Sequence, residues 1–173
     1  VEFPNEPERP NNKPINIESS VFSDIINKTI FAVSKDELKP ALSGVLFQIK
    51  NNSILSVSTD GHRLVRYIRR GLNINIDKDV IIPKKFLSLI NSNISQVENI
   101  NLYINENQVI VEVGNDVFYS RVIDERFPDF ESVIPKDNNK ELIVNRLDLL
   151  STVKRVSVLS NKTTRQIALN LTN

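Results

Sequence analysis

The chain contains no cysteine, no methionine and no tryptophan, and only one histidine and four glycines among 173 residues. Without cysteine there are no disulfides, no thiolate nucleophile and no sulfur-ligated metal. A single histidine excludes a His-rich zinc site. Gly44, Gly61, Gly71 and Gly114 are scattered, so neither a GxxxxGKS or GxxxxGKT phosphate loop nor a GxGxxG dinucleotide loop exists. No GxSxG nucleophile elbow occurs either. No apolar run approaches the roughly 18 residues a membrane span needs. No secretory leader is visible, since Val1 opens directly into a Pro- and Asn-rich stretch. The missing methionine reads as an internal stretch of a longer protein, and the missing cysteine fits a cytoplasmic one.

What is present is an ordinary globular composition, with 40% hydrophobic and 25% charged residues. The net charge of +1 is unevenly placed: −2 over residues 1–60, +5 over 61–90, −6 over 91–135 and +4 over 136–173. Such segregation permits an acidic and a basic face on one molecule.

Pro4, Pro7, Pro10 and Pro14 make residues 1–14 an extended linker, because proline removes donors and blocks helix. Ile15-Asn16-Ile17 reads as a strand. Ser19 or Ser20 then opens a helix to about Val33, with Phe22, Ile25, Ile26, Ile30 and Val33 on one face. The period changes to two at Val45, Phe47 and Ile49. Residues 53–59 and 63–69 read as hairpin arms around Asp60-Gly61, since glycine tolerates the positive φ of a tight turn. A short apolar run, 79–82, ends at Pro83. A helix from Lys84 is expected to bury Phe86, Leu87 and Ile90. Strands near 98–104, 108–113 and 116–123 follow, then a loop punctuated by Phe127-Pro128 and Ile134-Pro135.

The order strand, helix, short loop, strand then recurs. Leu142-Ile143-Val144 reads as a strand, and Asn145 as the cap of a helix with Leu149, Leu150, Val153 and Val156 on one side. Residues 166–171 read as the next strand. The chain therefore reads as one α+β repeat and the opening of another, which by itself closes no core.

Catalytic signals are weak. His62 beside a turn is a possible general base for a small hydrolase, but neither a nucleophile nor an oxyanion motif accompanies it. Asp124, Glu125 and Asp129 are possible cation ligands, yet Arg121 and Arg126 lie beside them. A purely structural repeat module is the remaining alternative. The basic residues are more informative. Lys84 and Lys85 open a helix, where the helix dipole disfavours cations. Lys28, Lys154 and Arg155 lie on the other two helices. On one common surface these five would offer phosphates a basic track without base reading.

Thr59-Asp60-Gly61-His62-Arg63-Leu64 resembles the signature hairpin of the bacterial DNA polymerase III β sliding-clamp family. Five other segments resemble that family in the same order. They are Glu2-Phe3-Pro4-Asn5, Leu42-Ser43-Gly44-Val45-Leu46-Phe47, Pro83-Lys84-Lys85, Arg126-Phe127-Pro128-Asp129-Phe130 continuing to Val133-Ile134-Pro135, and Leu159-Ser160-Asn161. The resemblance implies a DNA-clamp fold with two helices per domain packed on antiparallel sheets, and a subunit of three similar domains closing head-to-tail into a dimeric ring. Residues 1–14 would be the interdomain linker, 15–136 the middle domain and 137–173 the start of the third. This stretch by itself is expected to be a monomer. The implied role is that of a non-catalytic processivity factor with no cofactor. It would surround double-stranded DNA independently of sequence and dock short linear motifs of the replicative polymerase, the clamp loader and repair proteins. Carried over by matching motif, the middle-domain wall of the docking pocket is Leu42, Thr59, Gly61, His62, Arg63, Leu64, Pro128 and Val133. The DNA-facing residues would be Lys28, Lys84, Lys85, Lys154 and Arg155.

Overall fold

The computed structural model describes residues 13–161 and 166–170. The proposed linker, 1–14, lies almost wholly outside them. The chain divides into two compact units, Val1–Val133 and Ile134–Asn173.

The first unit is built from β1 (Ile15–Glu18), α1 (Ser19–Thr29), β2 (Gly44–Lys50), β3 (Ser53–Thr59), β4 (Leu64–Arg70), β5 (Lys78–Pro83), α2 (Lys84–Asn93), β6 (Asn99–Ile104), β7 (Gln108–Val113) and β8 (Asp116–Arg121). One four-stranded antiparallel sheet has the order β4-β3-β2-β5, the other β1-β6-β7-β8. The order strand, helix, three strands thus occurs twice within this unit. Each half lends its first strand to the other half's sheet. Ile17 of β1 pairs with Ile100 of β6, and Val45 of β2 with Ile82 of β5. This exchange ties the halves into one core. It is invisible to a reading of periodicity, because a strand's partner is set by register over long separations.

Alternation explains which side chains enter that core. Val45, Phe47 and Ile49 are fully buried on the inner face of β2, as are Phe22, Ile25 and Ile26 of α1 and Leu87 and Ile90 of α2. Phe22 and Phe47 approach to 6.2 Å between ring centroids. Each such side chain contributes about 1.5–3 kcal/mol through burial. The β2–β3 connection is a two-residue turn in which Asn51 (φ 51) and Asn52 (φ 56) are both left-handed. That is a hairpin conformation which asparagine tolerates. Gly44 is required by space. A Cβ there would lie 2.6 Å from the Ile82 carbonyl oxygen and 2.9 Å from Ile123 Cδ1.

Helix α1 ends sooner than its apolar spacing predicts. It stops at Thr29 and tightens into a 3₁₀ turn over Ile30–Ala32. Thr29 Oγ1 donates back to the Ile25 carbonyl at 2.8 Å, and Ser58 Oγ from β3 donates to the Thr29 carbonyl at 2.6 Å. Helix-terminal carbonyls lack an intrahelical partner, and here the sheet supplies one.

The second unit holds α3 (Arg146–Ser157), capped as expected by Asn145, whose Oδ1 accepts the Leu147 and Asp148 N–H groups at 2.8 and 3.3 Å. The strands expected at 142–144 and 166–171 are not formed: 142–144 and 166–170 carry no strand structure, and Leu171 lies outside the described residues. The physical reason is pairing. Ile15–Glu18 is a strand because β6 lies alongside, whereas no ladder partner runs beside these two segments among the described residues. α3 buries no side chain, and Leu149, Leu150 and Val156 are exposed.

Candidate docking hairpin and helical face

The turn between β3 and β4 is held by its own side chains. Asp60 Oδ1 accepts the backbone N–H groups of His62 and Arg63, both at 3.0 Å. Thr59 Oγ1 accepts the Gly61 N–H at 3.1 Å and donates to the Arg63 carbonyl at 2.8 Å. Gly61 sits at φ +88°, a region other L-residues rarely adopt. The Asp60 carboxyl is held below its ordinary value of 3.8, chiefly by the Arg63 backbone N–H, then by that of His62 and the Arg63 side chain.

Arg63 also reaches out of the turn. Its Nε donates to Asp60 Oδ2 at 3.0 Å, and its Nη2 donates to the Phe31 carbonyl at 2.9 Å. The guanidinium lies 5.6 Å from the centroid of the Phe31 ring. Phe31, which the sequence reading passed over, is 53% exposed. Its signal was available: it falls off the α1 core spacing yet is aromatic. His62 presents its ring from an exposed turn, with its backbone fixed by Asp60.

The ladder puts Thr59 and Leu64 at this end of the sheet. Thr59 pairs with Leu64, Leu46 with Val57 and Gly44 with Pro83. Leu42 is buried in a 3₁₀ turn, Pro40–Leu42, just before β2. Leu64 is half-buried and Pro128 exposed. Val133 is 66% exposed.

After β8 the chain crosses the outer face of this sheet. The Ile123 N–H donates to the Ile81 carbonyl at 2.9 Å, and Arg66 of β4 meets Glu131 at 3.7 Å. Between these points the segment and the sheet enclose a groove of about 600 Å³, lined among others by Leu46, Ile81, Phe127, Pro128 and Phe130. Phe127 and Phe130 stack edge-on at 6.4 Å. Asp129, a conceivable cation ligand, instead caps the Glu131 and Ser132 N–H groups at 3.2 and 3.4 Å. Among the described residues no three His, Asp or Glu side chains gather closely enough to hold a metal ion.

The two helices of the first unit are joined at the surface. Ser23 Oγ donates to Asn91 Oδ1 at 2.8 Å, and Asn91 Nδ2 donates to Asn27 Oδ1 at 2.9 Å. Lys84, half-buried, and Lys85, exposed, open α2 without a side-chain cap or an acidic residue in the first turn. Lys28 is not free. It lies 2.9 Å from Asp24 Oδ2 and 4.6 Å from the centroid of the Tyr67 ring. The Lys28 hydrogen bond, then that from Tyr67, holds the Asp24 carboxyl below its ordinary value, and Asp24 raises the Lys28 ammonium above its own. Lys154 and Arg155 lie on α3 of the second unit, in its last turn.

Paired strand-helix-strand halves, with helices on one side and an elaborated hairpin at a sheet end, are the architecture of a DNA-clamp domain. The solved sliding clamp of Bacillus subtilis superposes with a TM-score of 0.89 at 32% identity, over 94% of this chain and 43% of that one. A Pseudomonas aeruginosa sliding clamp solved bound to griselimycin gives 0.85 at 26% identity, over 94% and 45%. By sequence, the Bacillus subtilis β sliding clamp is 32% identical over 166 residues, 93% of this chain and 43% of that protein. The Staphylococcus epidermidis clamp is 33% identical over 162 residues, again 93% and 43%. The profile of the DNA polymerase III beta subunit central domain matches residues 16–129. The chain belongs to the DNA polymerase III beta subunit family. It spans less than half the length of these relatives.

Proposed function

We propose that this chain is the part of a cytoplasmic replication clamp that carries its middle domain, residues 15–136, preceded by a linker (1–14) and followed by the start of a third domain (137–173). In the intact protein, two subunits close as a ring around duplex DNA, and the ring tethers the polymerase topologically. It performs no chemistry and needs no cofactor. The helical face, with Lys84 and Lys85, meets phosphates without reading bases. The hairpin end of the β4-β3-β2-β5 sheet receives short apolar motifs of the polymerase, the loader and repair proteins, with Leu42, Leu64, Pro128 and Val133 as apolar contacts.

The observation that supports docking most directly is the self-braced hairpin, which holds an exposed His62 next to half-buried Leu64 without needing a ligand to order it. Preorganisation of this kind lowers the ordering cost of binding. The test is an NMR titration of the full-length protein with a short clamp-binding peptide carrying two apolar anchors. Shifts are expected at His62 and Leu64. Saturable binding that leaves both resonances in place would reject the assignment.

A further inference from the structure

We propose that Asp24 is a positioning residue that withholds Lys28 from DNA phosphates and thereby keeps the helical face only weakly attractive; this rests on the DNA-facing reading above. Three contacts tie Lys28, Asp24 and Tyr67 together. Asp24, one turn earlier on α1, holds Lys28 Nζ at 2.9 Å. The same carboxylate oxygen, Oδ2, accepts the Tyr67 hydroxyl of β4 at 2.8 Å. The ammonium then lies 4.6 Å from the Tyr67 ring centroid. An exposed pair four residues apart on a helix binds weakly and lets the lysine swing away. Here the carboxylate is itself anchored to the sheet by Tyr67, and the ring adds a cation–π contact. The lysine side chain, half of it still open to solvent, is thus tied to Asp24 and to the Tyr67 ring.

The charge pattern shows what this achieves. Between Ser19 and Thr29 the only charged residues are Asp24 and Lys28, and between Lys84 and Asn93 only Lys84 and Lys85. The Asp24–Lys28 pair carries no net charge and its field falls off faster than that of a lone lysine, so α1 adds no net positive charge. Arg69, two positions from Tyr67 on β4, also lies within reach of the Asp24 charge. The net attraction of the helix pair is left to the start of α2. A protein retained by topology gains nothing from tight phosphate contacts, and each extra one slows sliding. Every phosphate neutralised on duplex DNA adds about 0.9 to the slope of log affinity against log salt. Asp24 therefore sets the electrostatic drag of α1.

The test uses the full-length protein and a labelled linear duplex, with affinity measured from 50 to 200 mM KCl. Asp24→Asn is expected to steepen the salt slope by about 0.9 for each freed lysine that finds a phosphate. The gain over the parent is then about threefold larger at 50 than at 200 mM. Adding Lys28→Gln to Asp24→Asn should return the slope to the parental value, and Tyr67→Phe should give a smaller change in the same direction. Lys84→Glu with Lys85→Glu tests the DNA-facing reading separately, by weakening binding. If that double reversal weakens binding but Asp24→Asn leaves the slope unchanged, the proposal fails and the reading stands. If neither variant changes binding, both fail. A lowered Tm for Asp24→Asn with no change in slope, or a steeper slope that Lys28→Gln does not reverse, also overturns the proposal.

Discussion

The Asp60 carboxylate and Arg63 meet twice, once through the Arg63 backbone N–H on Oδ1 and once through its Nε on Oδ2, both at 3.0 Å. Arg63 then donates onward to the Phe31 carbonyl beyond α1. The turn that resembles a docking element is therefore also a brace between the hairpin and the end of the first helix. Arg63, expected from the family motif to orient a bound peptide, is engaged within the protein. His62 lies exposed in the same turn.

Replacing Asp60 with alanine removes the acceptor of two backbone N–H groups and the partner of the guanidinium. A loss of about 1–2 kcal/mol is expected, the range for removing a comparable capping side chain. Urea denaturation measures it. Asp60→Asn should lose less, since its amide oxygen can still accept the two backbone N–H groups.

Acid should act through the same group. The native Asp60 carboxyl titrates below 3.8, so the folded state binds fewer protons than the unfolded state as pH falls. Its contribution is complete above the ordinary carboxylate range and is lost as pH drops through the lowered native value. Asp24 has the same sign, through Lys28 first and Tyr67 second. Lys28, raised by Asp24, has the opposite dependence: its contribution is complete below 10.5 and is lost as pH rises beyond that value. Urea midpoints should fall below about pH 4 in the parent and fall less steeply in Asp60→Ala and Asp24→Ala. An identical acid profile in all three proteins would contradict this assignment.

Gly44→Ala tests the close packing of β2, β5 and Ile123. The added methyl would sit 2.6 Å from a backbone oxygen that cannot swing aside as a side chain could. A destabilisation of about 1–3 kcal/mol is expected, against little effect for Ala at exposed Lys50. A parental Tm for Gly44→Ala would mean that the strands separate more easily than the structure implies.

Much of the first unit was legible because its elements carry their own periodicity. α2, with Phe86, Leu87 and Ile90 buried, and β7, with Val109, Val111 and Val113 buried, are patterns that sequence spacing exposes directly. What stayed hidden depends on distant partners. The exchange of β1 and β5 between the two sheets needs pairings across many residues, and the failure of 142–144 to form a strand follows from the lack of a neighbour among the described residues. The hairpin motif was readable, but the onward reach of Arg63 to Phe31 and the capture of Lys28 by Asp24 and Tyr67 were not. A lysine's spacing on a helix says which face it occupies and nothing about what on another strand will hold it. The contacts leave His62 exposed beside half-buried Leu64 and tie Lys28 to Asp24 and Tyr67.

The central claim is that the intact protein holds DNA by surrounding it. The most direct measurement loads the full-length protein onto a circular duplex, raises the salt to suppress phosphate contacts, and then linearises the circle. Retention on the closed circle followed by rapid loss from the free ends is the predicted result. Equal retention on circular and linear DNA, or loss from both on raising the salt, would contradict it.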